Sequence, residues 1–492
     1  MLRRYCLSVL LLSVLFAFAD GKTSPKQPAQ VDAGDQLPIT TSSTRARVDF
    51  EAAMQDFEQY RLNESLQFLR AATKSDPKFA QAFIMIAKIG KDPAEQAEAR
   101  QRAKRLAPVV SPGERLLICW LAGAQEDNYL PAIAAMNDLL AQYPRDARLA
   151  FLAGDWLTLQ ERYQQAAVVL EHALKILPDY PAALNDLGYT YAFGGNFESA
   201  FAVMDRYIAL VPDEPNPHDS YGEILRMDGR FEAALEQYRT SVRMDPNFGS
   251  ELGVADTLAL MGKEQEAREE YDRAIVFAGS QGDKVQYELQ SALIWIREGN
   301  HKQADKALTE VAKHAHAAGL GRLEAEAHRV RAMYEPDPKA AIRDLQAAEQ
   351  ALQEPYEISE TDRNEEQARI LQIQAQRFAD AGDIDSSSKA VAQLETMAGN
   401  SRSQVIQLCY HGAAGATLLA QGKYTEAIPH LQEDSTDPLS MRLLWRAYNS
   451  TGAAAEAQAV ASKLAALNVP TVEQALVVPQ FRASLVSQAR QP

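Results

Sequence analysis

The chain has only three cysteines among its 492 residues. One of them, Cys6, lies in the N-terminal apolar stretch, which leaves Cys119 and Cys409, far apart in the sequence. Two distant cysteines cannot form the disulfide framework of a small secreted domain. In an elongated fold they would not meet, since the Cα atoms of a disulfide lie within roughly 7 Å of each other. We therefore expect two free thiols, both buried.

The sequence also lacks the short motifs that mark common catalytic and metal sites. It contains no H-E-x-x-H helix, P-loop, C-x-x-C or G-x-S-x-G motif. His314 and His316 are two residues apart and would not share a helix face, which predicts a surface pair. Residues 380–385, DAGDID, lack the length and the bidentate Glu of a calcium loop, which predicts a turn between helices. We therefore predict no catalytic residue, no metal ligand and no cofactor.

The sequence also has fewer basic than acidic residues. Fifty Lys and Arg stand against 66 Asp and Glu, which gives a formal net charge of −16 at pH 7. Nucleic acids and anionic membranes attract basic surfaces, so we expect neither as a ligand. With 46% hydrophobic and 24% charged residues, the composition is that of a folded protein rather than a disordered one.

A strongly apolar run occurs at the N-terminus, in residues 1–19, MLRRYCLSVLLLSVLFAFA. Two arginines precede it and a small-x-small pattern ends it at Ala19, which predicts a signal peptide. The run is shorter than the roughly 20 residues of a membrane span, although an uncleaved anchor is the alternative. Cleavage would take the formal net charge from −16 to −18 and deliver the protein to the periplasm or outside the cell, not spanning the membrane. Residues 20–45, rich in Pro, Ser, Thr and Gln, are predicted to be a flexible leader.

From residue 46 onward the chain repeats itself every thirty-four residues. Prolines, alanines and aromatic residues each return at this spacing. The three series are Pro144, Pro178, Pro212 and Pro246; Ala132, Ala166, Ala200 and Ala234; and Tyr129, Tyr163, Phe197 and Phe231. Within each unit, apolar residues at helical spacing form two stretches separated by turn residues, and the proline ends the second. Each unit is therefore predicted to be a helix-turn-helix.

These units resemble tetratricopeptide repeats, whose pattern is W-x2-L-G-x2-Y followed by Ala, an aromatic residue, Ala and Pro. The unit that starts at residue 181 carries Leu187, Gly188, Tyr191, Ala200 and Pro212, and the units that start at 113, 147 and 215 match as well. The resemblance implies an all-α fold, a right-handed superhelical solenoid of stacked helix-turn-helix repeats. It also implies a protein that is not an enzyme.

Weaker matches extend the repeats on both sides of these units. We predict an N-terminal array over 46–318, clearest over 113–248, a degenerate repeat or hinge over 319–365, a C-terminal array over 366–467 and a capping tail over 468–492. Repeat arrays need a cap over their last apolar face, and residues 471–488 would supply it as two short amphipathic pieces split by Pro479. A peptide that docks on a partner is the alternative for this tail.

In the family that the units resemble, the first helices of the repeats line a concave groove, and positions 2, 5, 9 and 12 of each carry the contacts. Mapping these positions onto the strong units gives Arg148, Phe151, Asp155, Ala182, Asn185, Tyr189, Asn216, Asp219, Glu223 and Arg226. The family's carboxylate clamp uses Lys, Asn and Arg, whereas acids stand here, so an acidic C-terminal tail is a poor ligand. We expect an extended or helical segment with Lys or Arg, bound through its backbone by Asn185 and through its charges by the acids. Alternatively, these residues only keep the groove soluble.

Taken together, these features predict a non-enzymatic scaffold that holds another protein or peptide outside the cytoplasm. One alternative is an accessory docking subunit of an envelope assembly or of a polysaccharide or protein export machine. Another is an enzyme, which would require acids and histidines of 319–365 to converge in a pocket.

Overall fold

The computed structural model describes residues 36–246 and 248–489, with side chains up to residue 486. In this part of the chain there are twenty-five α-helices and no strand, which confirms the predicted all-α repeat solenoid. None of these helices is long and apolar enough to cross a membrane. The predicted signal peptide, 1–19, and most of the predicted leader lie outside the described residues.

Short turns connect the helices, which pack in pairs as twelve hairpins followed by a single last helix. The first half comprises α1 (Thr44–Phe57), α2 (Leu62–Ser75), α3 (Ala80–Ile89), α4 (Pro93–Leu106), α5 (Pro112–Gln125), α6 (Tyr129–Gln142), α7 (Ala147–Leu159), α8 (Tyr163–Ile176), α9 (Pro181–Phe193), α10 (Phe197–Leu210), α11 (Pro215–Met227) and α12 (Phe231–Met244). The second half comprises α13 (Glu251–Leu260), α14 (Glu264–Val276), α15 (Gln281–Arg297), α16 (His301–Ala317), α17 (Gly321–Tyr334), α18 (Pro338–Gln353), α19 (Glu360–Asp380), α20 (Ile384–Asn400), α21 (Gln404–Ala420), α22 (Tyr424–Glu433), α23 (Pro438–Thr451), α24 (Ala454–Ala465) and α25 (Val472–Ala489).

Small residues let the two helices of a hairpin approach closely. In the hairpin of α9 and α10, a Cβ added at Gly188 would lie 2.1 Å from the Met204 methyl carbon, and Ala200 is completely buried. The hairpin of α7 and α8 repeats this contact between Gly154 and the Leu170 side chain, at 2.4 Å. The periodic glycines and alanines of the sequence therefore mark the contact lines between paired helices.

The turn inside many hairpins requires a left-handed backbone conformation. Gly195 has a φ of 79° and Gly382 a φ of 76°, values that glycine adopts without steric cost. Gly382 follows Ala381, the C-cap of α19, and the side chain of the next residue, Asp383, caps α20. The segment DAGDID is therefore a turn between helices, as predicted.

The last helix departs from the prediction for the tail. Instead of two pieces split at Pro479, residues 472–489 form one helix that contains this proline. Burial of Val477, Val478 and Phe481 accompanies the continuous helix and offsets the backbone hydrogen bond that proline cannot donate. The helix packs against α23 and α24, where a cap was expected, but also against α15, far earlier in the chain.

Two further details differ from the sequence predictions. Helix α1 begins at Thr44, inside the predicted leader, and the Leu37 backbone N–H donates a hydrogen bond to Asp146 Oδ2 at 2.9 Å. Both described cysteines are free, as expected, but only Cys409 is buried. Cys119 is exposed because its neighbours on α5, Ile118 and Trp120, take the inward positions.

Residues 319–365 hold α17, α18 and the start of α19, and the hinge there stays a prediction.

Candidate functional site

The predicted groove residues lie on the first helices of three consecutive hairpins, α7, α9 and α11. Those on α7 face the first two hairpins of the protein. The Arg148 guanidinium pairs with the Glu58 carboxylate, and Lys88 Nζ donates to Asp155 Oδ2 at 2.6 Å. Phe151 is only 2% exposed. This part of the predicted groove is therefore occupied by contacts within the chain.

The two asparagines of the predicted groove contact each other below the surface. Asn185 is 2% exposed and Asn216 is 8% exposed. Asn216 Nδ2 donates to the Tyr207 hydroxyl at 2.8 Å and, more weakly, to Asn185 Oδ1 at 3.5 Å. Ala182, one turn before Asn185, is completely buried. In this arrangement Asn185 positions its neighbours, and a partner's backbone would reach it only after a local opening.

Next to Asn185, Asp186 is a buried acid that the sequence analysis missed. It is 1% exposed and accepts a hydrogen bond from the Tyr60 hydroxyl. Burial raises the pKa of Asp186 well above its usual value, and the nearby Asp155 carboxylate raises it further. The repeat pattern gave no signal for this residue, because it occupies none of the four groove positions.

Three predicted residues belong to one polar chain that links α9, α11 and α13. The Tyr189 hydroxyl donates to Glu223 Oε2 at 3.1 Å, and Arg226 Nη2 donates to Glu223 Oε1 at 2.7 Å. Arg226 Nη1 continues to Asp256 Oδ2 at 3.4 Å, and Asp256 also accepts from the Tyr271 hydroxyl. Arg226 is 1% exposed, so its charge compensates buried acids and does not face solvent.

Acidic side chains of three hairpins act electrostatically on Tyr287 of α15. Burial raises the pKa of Tyr287 to about 12, and the carboxylates of Asp283, Asp219 and Glu251 contribute to that rise. Together with Glu223, which raises the pKa of Asp219, these three acids form what we call the inner acidic cluster. Its members are Asp219, Glu223, Glu251 and Asp283. The cluster lies on first helices of hairpins, α11, α13 and α15, the side where the groove was predicted.

Asp219 is the titratable centre of the inner acidic cluster. Burial raises the pKa of its carboxyl to about 6, a hydrogen bond from Ser250 lowers it in part, and Glu223 raises it. The cluster also has partial counterions, because Arg226 pairs with Glu223 and Lys91 Nζ donates to Asp283 Oδ2 at 2.8 Å. Glu251 and Asp283 were missed because their hairpins match the repeat pattern poorly, so no groove position could be assigned to them.

A second set of buried charges lies on the later first helices. Arg329 of α17 donates from Nε to Glu366 Oε1 of α19 at 2.6 Å, and Glu473 of α25 lies 3.9 Å from Arg329. Arg329 is 4% exposed and Glu366 is completely buried. These charges bind α17, α19 and α25 to one another.

The histidine pair is on the surface, as predicted. His314 Nδ1 lies 2.7 Å from Glu288 Oε2, and His316 Nδ1 lies 3.1 Å from Glu324 Oε2, with both histidines exposed. Across residues 36–246 and 248–486, no three or more His, Cys, Asp or Glu side chains are grouped so that they could hold a metal ion.

Comparison with known proteins agrees with the repeat pattern. The tetratricopeptide repeat family model matches residues 157–223. Among solved structures, one chain of the APC/C hetero-tetramer Cut9-Hcn1 matches with 16% identity and a TM-score of 0.42, covering 84% of this chain and 79% of that one. Yeast Tom70 matches with 13% identity and a TM-score of 0.42, covering 85% of this chain and 96% of that one. None of the curated proteins matches this chain.

Proposed function

We propose that this protein is a non-enzymatic scaffold that binds a Lys- or Arg-containing segment of a partner protein at the inner acidic cluster. Tetratricopeptide repeat proteins bind other proteins or peptides, which supports the general class. The observation that carries the finer proposal is that the charges of Asp219, Glu251 and Asp283 all act on Tyr287, while Glu223, one helical turn from Asp219, acts on Asp219. A cationic side chain that entered there would meet carboxylates already removed from most of their water.

The proposed site differs from the groove expected from the repeat positions. Asn185, Asn216 and Arg226 are buried and make contacts within the protein. They therefore position the other residues of the site and do not bind the ligand directly. Asp219 and Glu223 are half-buried, so both keep some exposure to solvent. A lysine or arginine beside Asp219 would stabilise its ionised form and lower its pKa, and this gain is available only to a cation.

The compartment is part of the proposal and rests on the sequence. The charged start, apolar core and small-x-small end of residues 1–19 support export to the periplasm or outside the cell. The formal net charge of −16 favours a basic partner over nucleic acid or an anionic membrane surface.

The direct test is the binding of two fluorescent peptides to the chain that starts at Asp20. One peptide alternates Lys with Ala and the other alternates Glu with Ala. We expect the Lys peptide alone to bind, with an affinity that falls as salt is added. Asp219→Asn removes one charge without changing shape and should weaken binding by roughly two- to tenfold.

Asp228→Asn is the matched control, because it also removes one aspartate charge from the hairpin of α11 and α12. Asp228 lies in the turn, paired at 2.7 Å with the exposed Arg230. The proposal is contradicted if both peptides bind equally, or if Asp228→Asn weakens binding as much as Asp219→Asn does. A partner that co-purifies with an envelope transport complex would instead favour a docking subunit of that complex.

A further inference from the structure

The solenoid curves until hairpins far apart in the chain touch each other. Helix α5 contacts α19, although more than two hundred residues separate them. We call this contact region the seam. One side consists of the turns within the hairpins of α3–α4 and α5–α6. The other side consists of the segments that precede α15, α19 and α21, together with the first turns of these helices.

Asp127, in the turn between α5 and α6, is the centre of the seam. Its backbone N–H donates to the Thr361 hydroxyl oxygen at 2.8 Å. Its carboxylate accepts from Ser401 Oγ at 2.6 Å and from Asn364 Nδ2 at 3.3 Å. The Thr361 hydroxyl in turn donates to the Ala124 carbonyl at 3.0 Å. One residue of the early array therefore joins two separate segments of the late array.

A second contact across the seam involves the inner acidic cluster. Lys91, between α3 and α4, donates from Nζ to Asp283 Oδ2 at 2.8 Å, and the two residues are 192 positions apart. Asp283 is also a member of the cluster around Tyr287. While the seam is closed, an internal lysine thus occupies one acid of the proposed binding site.

The seam is interrupted by two clefts that are partly open to solvent. It contains a cavity of about 240 Å³ between Tyr129 and Trp156 on one side and Thr361 and Gln404 on the other. A second cavity, of about 380 Å³, lies between Lys91 and Asp362. Because solvent reaches both clefts, the two sides of the seam are not joined by one continuous packed core.

From these contacts we infer that the seam is a reversible clasp around Asp127, whose opening releases Asp283 from Lys91 and admits a basic segment to the inner acidic cluster. In the closed state Lys91 competes with the partner for Asp283. In the open state the same carboxylate is available and the path to Asp219 is wider. The role in partner entry rests on the proposed function, whereas the clasp itself can be tested without any partner.

The clasp is tested by distance measurement with spin labels on either side of the seam. The chain from Asp20 carries one exposed thiol, Cys119 on α5, and a second is introduced by Arg402→Cys beside Ser401. Cys409, only 4% exposed, should stay unlabelled. We expect one dominant distance in this background.

The opening variant is Asp127→Gly. Asp127 has a φ of 50°, which glycine adopts without strain, so the change removes the carboxylate and leaves the turn intact. Two hydrogen bonds to a charged acceptor are lost, and the population with a longer distance should rise by roughly ten- to a hundredfold. Ser401→Ala with Asn364→Ala removes the donors instead and should have the same effect.

Asp213→Gly is the control, because Asp213 is an exposed aspartate in the turn between α10 and α11, away from the seam. The clasp is overturned if the distances in Asp127→Gly match those of this control, or if the unmodified seam already shows only long distances. Its role in entry is tested with the Lys–Ala peptide, which should associate faster with Asp127→Gly and with Lys91→Met. Altered distances without faster association would retain the clasp and reject the entry role.

Discussion

The early hairpins, from α7 to α12, and the later ones, from α15 to α19, have the same architecture but are stabilised differently. In the early hairpins small residues such as Gly188 and Ala200 set the distance between helices. In the later ones the helices are longer, and the completely buried Glu366 pairs with Arg329. Here the last helix, α25, also packs against α15. The repeat signature thus records close helix contacts, and the fold continues where that signature weakens and a buried ion pair joins neighbouring hairpins.

The family model matches residues 157–223, within the early hairpins, although hairpins continue to α24. Side chains that touch a fixed neighbour within the hairpin recur with the period. Side chains that meet another part of the superhelix depend on its curvature and do not recur. Substitutions in the early and in the later hairpins should therefore have distinguishable effects on stability.

The largest expected effect comes from breaking the buried ion pair of the later region. Glu366→Leu leaves the Arg329 guanidinium, 4% exposed, without the carboxylate 2.6 Å from its Nε. The buried guanidinium keeps only the more distant carboxylates of Glu326, at 3.7 Å, and Glu473, at 3.9 Å, so the free energy of unfolding should fall by about 3 kcal/mol, measured by urea denaturation.

Two controls accompany this variant. Glu310→Leu removes an exposed acid that pairs with Lys313, and it should change stability by less than about 0.5 kcal/mol. The double change Arg329→Met with Glu366→Leu removes both charges and should recover most of the loss. A Glu366→Leu protein as stable as the Glu310→Leu protein would show that the later region does not depend on this pair.

The next effect concerns close packing at the edge of the early region. Tyr238 of α12 is 2% exposed. Its ring lies between Gly222 on α11, in the same hairpin, and Gly253 on α13, in the next hairpin. A Cβ at Gly253 would lie 2.1 Å from its ring, whereas one at Gly222 would lie at 3.0 Å. Gly253→Ala should therefore destabilise the protein by about 1–3 kcal/mol, measured by thermal unfolding.

Gly399→Ala makes the same substitution at a position where alanine should stabilise the protein. Gly399 lies within α20, and an added Cβ would meet nothing within 4 Å. Alanine favours the helix by up to about 1 kcal/mol, so this variant should be slightly more stable than the unchanged protein. If both alanine variants shift the melting temperature in the same direction, close packing around Tyr238 is not what stabilises that contact.

Much of the fold could be predicted from the sequence, because its determinants are local. Gly188, Ala200 and Pro212 each act within their own hairpin or at its end, so periodicity alone located α9 and α10. Burial at the candidate site could not be predicted. Asn185 and Arg226 are on the expected helices, but only the structure shows that they are covered. Neither Lys91 nor Asp283 had a signal, because their contact depends on the curvature accumulated over many hairpins.

A smaller, pH-dependent effect is expected where α23 begins near α25. Burial raises the pKa of Asp437 to about 7, and the Glu473 carboxylate contributes. Since the folded pKa exceeds the unfolded one, the stabilisation by protonation is complete below about pH 4 and is lost as the pH rises through 7. Asp437→Asn keeps a side-chain cap for the Leu439 N–H and should add about 1–2 kcal/mol of stability at pH 8 and less than half of that at pH 5.

Asp337→Asn is the matched control for Asp437→Asn, because Asp337 caps α18 in the same way but is exposed. Denaturation curves of both variants at pH 5 and pH 8 separate the two contributions. If Asp337→Asn gains the same stability at pH 8, the effect belongs to cap chemistry and not to the buried charge. A gain confined to Asp437→Asn would show that the region around α25 is stabilised by protonation of its acids.

The smallest expected effect is the pH dependence of peptide binding at the inner acidic cluster, which lies on α11, α13 and α15. The pKa of Asp219 is raised to about 6, so its carboxylate is charged at pH 7.5 and mostly neutral at pH 5. Binding of the Lys–Ala peptide should therefore weaken as the pH falls through 6, by roughly two- to tenfold. Asp219→Asn should bind weakly at both pH values and lose most of this dependence. If the variant keeps the full pH dependence, the titrating group is another residue, and the early region's Asp219 is not what recognises the cation.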